Sequence, residues 1–85
     1  MARFEPVKVE TRSGYKADET PLGFFWQSQH FVVEQVLDRW YQADRDPRLP
    51  SANYFKVRTT DGNSVILKRD NESLQWFLRA VDSRE

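Results

Sequence analysis

An Asp-Gly pair between two alternating apolar runs constrains this chain more than any other feature. Residues 54–59 set Phe55 and Val57 against Tyr54, Lys56 and Arg58, and residues 64–69 set Val65 and Leu67 against Ile66 and Lys68. A period of two predicts half-buried strands, and Asp61-Gly62 between them predicts a hairpin. The loop length follows from the faces. A two-residue turn at Asp61-Gly62 would pair Val57 with Ile66 and Phe55 with Lys68, placing a cation on the apolar side. A three-residue loop, Thr60-Asp61-Gly62, pairs Val57 with Val65 and Phe55 with Leu67. It requires Gly62 at positive φ in the bulge position, which glycine adopts at little steric cost. The three-residue loop is therefore predicted.

The pattern continues downstream. A two- or four-residue turn in Asp70-Asn71-Glu72-Ser73 pairs Leu67 with Trp76 and Val65 with Leu78. The predicted core face is then Phe55, Val57, Val65, Leu67, Trp76 and Leu78. The opposite face carries Tyr54, Lys56, Arg58, Ile66, Lys68, Gln75, Phe77 and Arg79. A frayed tail is expected at 82–85.

The first half reads less directly. Residues 4–12 suit a first strand with Val7 and Val9 on one face, and residues 13–21, with Gly14, Asp18 and Pro21, suit a loop. Residues 23–27 form an aromatic strand around Phe24-Phe25-Trp26. A two-residue turn at Ser28-Gln29 would then pair Trp26 with Phe31 and Phe24 with Val33. The stretch 31–42 is open between two readings. Its apolar pairs, Val32-Val33, Val36-Leu37 and Trp40-Tyr41, recur at helical spacing. Its β-branched and aromatic content, with neither an N-cap nor a C-terminal glycine, favours a strand. Residues 44–53, holding Pro47 and Pro50 among alternating charges, read as an extended surface connection.

Two groups of segments resemble the halves of a small bacterial domain of unknown function. Phe24-Phe25-Trp26, Val32 and Val36-Leu37-Asp38-Arg39-Trp40 match one half. Tyr54-Phe55-Lys56-Val57-Arg58-Thr59-Thr60-Asp61-Gly62, Leu67-Lys68-Arg69-Asp70 and Trp76-Phe77-Leu78 match the other. That domain is found alone or in the neighbourhood of proteins related to error-prone, Y-family DNA polymerases. The resemblance implies a β-meander and a DNA-repair or translesion-synthesis setting, and brings no catalytic residues with it. It decides 31–42 in favour of a long, bent strand. The expected fold is mainly β: an antiparallel meander of five or six strands curled into a small open barrel. The alternative is an α+β form with a helix at 31–42.

Composition bounds function from the other side. The chain has 85 residues, enough for one small domain, here with an N-terminal arm at 1–21. Thirteen Lys and Arg balance 13 Asp and Glu, which argues against a dedicated electrostatic nucleic-acid binder. With no cysteine there is neither a disulfide framework nor a thiolate site. No apolar run approaches the ~20 residues that span a bilayer, and a cytoplasmic location is expected. His30 is the lone histidine, at a predicted turn. The near-paired carboxylates, Asp18-Glu19 and Asp44 with Asp46, sit in loops beside cations. Neither suggests an acid–base pair, so no enzyme activity, cofactor or metal is expected.

Two surfaces remain as candidates. Phe25, Val32, Trp40 and Tyr41 would form an exposed aromatic patch for another protein or a second copy, with a free sheet edge as a further docking element. Tyr54, Lys56, Arg58, Lys68, Phe77 and Arg79 interleave rings and cations on one sheet face, a possible stacking platform for single-stranded nucleic acid. The competing reading of that platform is a half-buried face covered by cationic stems.

Overall fold

The computed structural model describes residues 3–12, 20–43 and 45–81. They form six strands: β1 (Glu5–Arg12), β2 (Thr20–Trp26), β3 (Gln29–Gln42), β4 (Ala52–Thr59), β5 (Ser64–Asp70) and β6 (Trp76–Ala80). Each pairs antiparallel with its neighbour in sequence, and β1 also pairs with β6 through Glu5–Leu78, Pro6–Phe77 and Val7–Trp76. The meander therefore curls into a small barrel, and the β1–β6 pairing closes it. No helix forms at 31–42.

The C-terminal hairpin follows the alternation. Val57 lies against Val65 and Phe55 against Leu67, around the loop Thr60-Asp61-Gly62. Gly62 has φ +91°, and a side chain there would meet nothing nearby, so the backbone alone selects glycine. The predicted core face is buried throughout, with Val57 and Leu67 fully inaccessible, and Phe24 joins it from β2.

Three expectations need correction, and each has a local cause. The first turn lies at Gln27-Ser28, one residue earlier than read. Both residues hold positive φ, +52° and +63°, the backbone of a primed turn that matches strand twist. Phe24 thus pairs with Phe31, their rings stacked at 5.1 Å, and Trp26 pairs with Gln29. The last turn is longer than read. Asp70 accepts the amides of Glu72 and Ser73, at 2.8 and 2.9 Å, and Leu74 takes φ +62°. Leu67 therefore faces Leu78 rather than Trp76, and Gln75 lies in the turn. Both slips are two residues, which leaves every side chain on its expected face. Finally, Thr20 and Pro21 belong to β2, and Ala52 and Asn53 to β4. Pro21 sits where the β1–β2 register shifts, a position that needs no regular ladder donor. The tail at 82–85 and most of the 13–21 loop lie outside the described residues.

Strand β3 explains the conflicting periodicity. Against β4, Val33 lies opposite Thr59 and Gln35 opposite Arg58; Val36 then lies opposite Val57 and Asp38 opposite Lys56. Glu34 and Leu37 are extra residues, one in each of two bulges three positions apart. Val33 and Val36 consequently both pack against the core. Two closely spaced bulges turn a two-residue period into a three-residue one, and so imitate a helix in sequence.

Candidate binding surface

The register carries one row of side chains across the outer face of the barrel. Trp40 on β3 lies opposite Tyr54 on β4, Tyr54 opposite Lys68 on β5, and Lys68 opposite Phe77 on β6. The Trp40 and Tyr54 rings are stacked, parallel within 2°, with centroids 5.2 Å apart. The Lys68 ammonium stands 5.5 Å from the Phe4 ring, 5.9 Å from Phe77 and 6.0 Å from Tyr54. The Arg79 guanidinium lies 5.6 Å from Phe4, and its Nε is buried without a hydrogen-bond partner. Phe4 closes the row edge-on to Tyr54 at 6.0 Å. Each cation–ring contact contributes about 0.5–1 kcal/mol at an exposed site. Together they hold the Lys68 and Arg79 head groups against the face.

The six residues of the expected stacking platform thus share a face, but their cations are differently occupied. Arg58 donates to Gln35 Oε1 at 2.8 Å and stands 3.6 Å from Glu34 Oε1. Lys56 faces Asp38 across the strand pair. Tyr54, Lys56, Arg58, Lys68, Phe77 and Arg79 are all half-buried. The face agrees with cationic stems covering apolar surface.

The four residues of the expected aromatic patch do not meet. Phe25 and Val32 lie on the β2–β3 hairpin. Trp40 is eight residues further along β3 than Val32, about 25 Å at strand rise. Trp40 and Tyr41 point to opposite faces, and Tyr41 is 64% exposed. On its side, Tyr41 pairs with Asn53, and Arg39 pairs with Phe55, its guanidinium 5.3 Å from that ring. Arg39, Trp40, Tyr41, Asn53, Tyr54 and Phe55 line a concavity of about 270 Å³. A second concavity, of about 250 Å³, adjoins it at Tyr54. Its lining includes Leu49, Pro50, Lys68 and Asp70. Arg39 and Asn53 escaped sequence reading. Asn53 falls in the stretch 44–53 that the sequence reads as a connection, and Arg39 lies outside the expected patch.

The Phe25 region is organised around a different device. His30 Nε2 and Glu10 Oε1 lie 2.8 Å apart, joining β3 to β1 across the intervening β2. The residue beneath is Gly23. A Cβ there would come within 3.0 Å of Glu10 Oε1 and 2.8 Å of the Phe31 carbonyl oxygen. Phe25 stacks on His30 at 4.5 Å, with Lys8 Nζ 6.0 Å from its ring. The lone histidine is therefore a cross-strand partner beside an exposed ring.

The turns hold the perturbed carboxylates. The Thr59 hydroxyl, which donates to Asp61, holds that carboxyl below the usual range. The amides of Ser73 and Glu72 do the same for Asp70. Arg48 lowers Asp46 through a two-pronged bond, with contacts of 3.0 and 2.8 Å. Among the described residues, no group of three His, Asp or Glu side chains could hold a metal ion. No helix among them is long and apolar enough to cross a membrane.

Comparison with known proteins adds no relative: no family model, curated protein or solved structure matches this chain.

Proposed function

We propose that this chain is a non-catalytic protein-interaction module that docks its partner on the Trp40–Tyr41–Tyr54 end of the barrel. The observation carrying this reading is the convergence, at one end, of a stacked ring pair, a largely exposed Tyr41 and two adjoining concavities. Exposed aromatic side chains supply large contact area at small entropic cost and dominate interface energetics. The cations nearby are already held by rings or carboxylates, which weakens the nucleic-acid reading. A strand added along β3 is disfavoured too. Beyond Val32 no described residue of β2 pairs with it, but its two bulges, Glu34 and Asp38 are the features that blunt sheet edges. The resemblance noted above directs the search for the partner toward DNA-repair assemblies.

The test is selection of a random peptide library on the immobilised protein. Enriched peptides should bind Tyr41→Ala and Trp40→Ala at least about tenfold more weakly, the scale of a truncated hot spot. Absence of enrichment, or peptides indifferent to both substitutions, would overturn the reading.

A further inference from the structure

We infer that the barrel carries a built-in opening point: residues 4–7 form a strap that peels from β6 about a hinge at Val7-Lys8, and the Phe4 ring is the latch that holds the strap shut. The inference goes beyond the interaction reading and stands whether or not a partner docks nearby.

The ladder defines the strap. Strand β1 changes neighbour midway along its length. Glu5, Pro6 and Val7 pair with β6 alone, whereas Lys8 to Arg12 pair with β2 alone. The first half of β1 is therefore bonded on one side only, although the barrel is closed. Its pairing is also the shortest in the barrel, and Pro6 has no N–H to give it. By contrast, β4 and β5 stay paired from Ala52–Asp70 to Arg58–Ser64.

Burial points the same way. Glu5 and Pro6 are exposed, and of these three residues only Val7 packs against the core. Across the seam, Trp76 and Leu78 are buried. A segment with few buried apolar contacts and a short, exposed ladder lies at the low end of local stability.

Phe4 compensates for that weakness from the outer face. Its ring reaches past β6 to the Lys68 ammonium on β5, at 5.5 Å, and edge-on to Tyr54 on β4, at 6.0 Å. The Arg79 guanidinium on β6 stands 5.6 Å from the same ring. Lys68 also lies 5.9 Å from Phe77 and 6.0 Å from Tyr54. One ammonium thus gathers rings from the strap, from β4 and from β6. The other tie, Trp26 Nε1 donating to Glu5 Oε1, is long at 3.4 Å and exposed. The strap is therefore held by ring–cation contacts more than by its ladder. Peeling leaves Lys8 to Arg12 in place on β2 and uncovers the edge of β6 beside Trp76 and Leu78. It is a local event, separate from unfolding.

The experiment is native-state hydrogen exchange of the whole chain by NMR, across low concentrations of urea. Amides bonded across the β1–β6 seam should exchange faster than those bonded between β4 and β5, and with little dependence on urea. The β4–β5 amides should follow the steep urea dependence of global unfolding. Phe4→Leu keeps an apolar side chain but removes the ring, and Lys68→Met keeps the stem but removes the charge. Each should speed seam exchange by about fivefold or more. Val57→Ala is the counterpart, because Val57 stays buried while the strap is open. It should speed the β4–β5 amides and leave the seam unchanged. Thermal unfolding confirms that each variant folds. Seam amides that share the urea dependence of the β4–β5 amides would mean that the barrel opens only as a whole, which overturns the inference. Seam exchange unmoved by both Phe4→Leu and Lys68→Met overturns it as well, since the ring would not be the latch.

Discussion

Strands β4 and β3 are neighbours that obey different arithmetic. In β4, Phe55, Val57 and Thr59 are buried while Tyr54, Lys56 and Arg58 are half-buried, with no break in the period of two. In β3 the inward positions step from Phe31 to Val33 by two and on to Val36 by three. One strand faces a uniform core, and its register is fixed by alternation alone. The other must bend around the barrel, and its two extra residues let it do so without moving an apolar side chain into water. Periodicity in sequence thus reports local strand geometry as well as strand identity.

The largest expected effect comes from breaking that arithmetic directly. Deleting Lys56 forces one side of β4 to change face and expels residues such as Phe55 or Val57. Each buried apolar side chain is worth about 1.5–3 kcal/mol. Losing several approaches the whole stability of a small domain, about 5–15 kcal/mol. Circular dichroism should show an unfolded or aggregated chain. Deleting Leu37, an extra residue 39% exposed, removes one bulge and leaves Val36 and Arg39 on their faces. That variant should remain folded. If both deletions unfold the protein equally, β3 is not bulged as described.

A milder version uses truncation. Leu67 is fully inaccessible in the regular half, and Leu67→Ala should cost about 2–5 kcal/mol in urea unfolding. Leu37→Ala should cost less than about 1 kcal/mol, within the range of exposed substitutions. A large loss at Leu37 would mean that the bulged side of β3 is covered in solution, by a partner or a second copy.

These contrasts bear on what a sequence reader can recover. The hairpin at Gly62 is legible because Asp61-Gly62 marks the turn and a two-residue loop there would bring a charge, Lys68, onto the core face. The registers around Gln27-Ser28 and around 71–75 differ by two residues from the sequence reading for a common reason. A two-residue slip preserves every face, so apolar patterning cannot detect it. What settles those registers is turn chemistry, the paired positive φ of Gln27 and Ser28 and the Asp70 cap, and neither carries a glycine to announce itself. Of the surface, the shared face of Tyr54, Lys68 and Phe77 could be read from alternation. The separation of Phe25 from Trp40 follows once 31–42 is a strand, whereas the arrival of Asn53 beside Tyr41 depends on the two β3 bulges, which alternation does not place.

Two glycines sharpen the same distinction. Gly62→Ala meets no atom, and its cost is the backbone penalty of positive φ, about 1–2 kcal/mol. Gly62→Asn should recover part of it, since asparagine tolerates that region. Gly23→Ala meets the Phe31 carbonyl at 2.8 Å, so the β2–β3 backbone must shift, at about 1–3 kcal/mol. Asparagine there should be worse than alanine. Opposite rank orders for asparagine at the two sites, measured by thermal unfolding, are the expected result. Matching orders would refute the assignment of one glycine to backbone and the other to space.

The smallest effect separates the halves by pH. Asp61 and Asp70 are hydrogen-bonded acceptors in the two C-terminal turns, and their carboxyls are held below the ordinary aspartate value, about 3.9. A depressed folded pKa contributes stability that is complete above the unfolded value and fades as pH falls through the folded one. The C-terminal turns should therefore loosen only below about pH 4. The Gln27-Ser28 turn contains no carboxylate and should not respond in this way. Two-dimensional NMR between pH 6 and 2.5 reads the difference. The amides of Gly62, Glu72 and Ser73 should move together with the titration of Asp61 and Asp70, and those of Gln27 and Ser28 should stay near their starting positions. Asp70→Asn should abolish the movement at Glu72 and Ser73 while leaving Gly62 unchanged, because each carboxylate caps its own turn. Movement of all three amides in that variant would show that the turns unfold as one unit, and the local account of the C-terminal registers would fail with it.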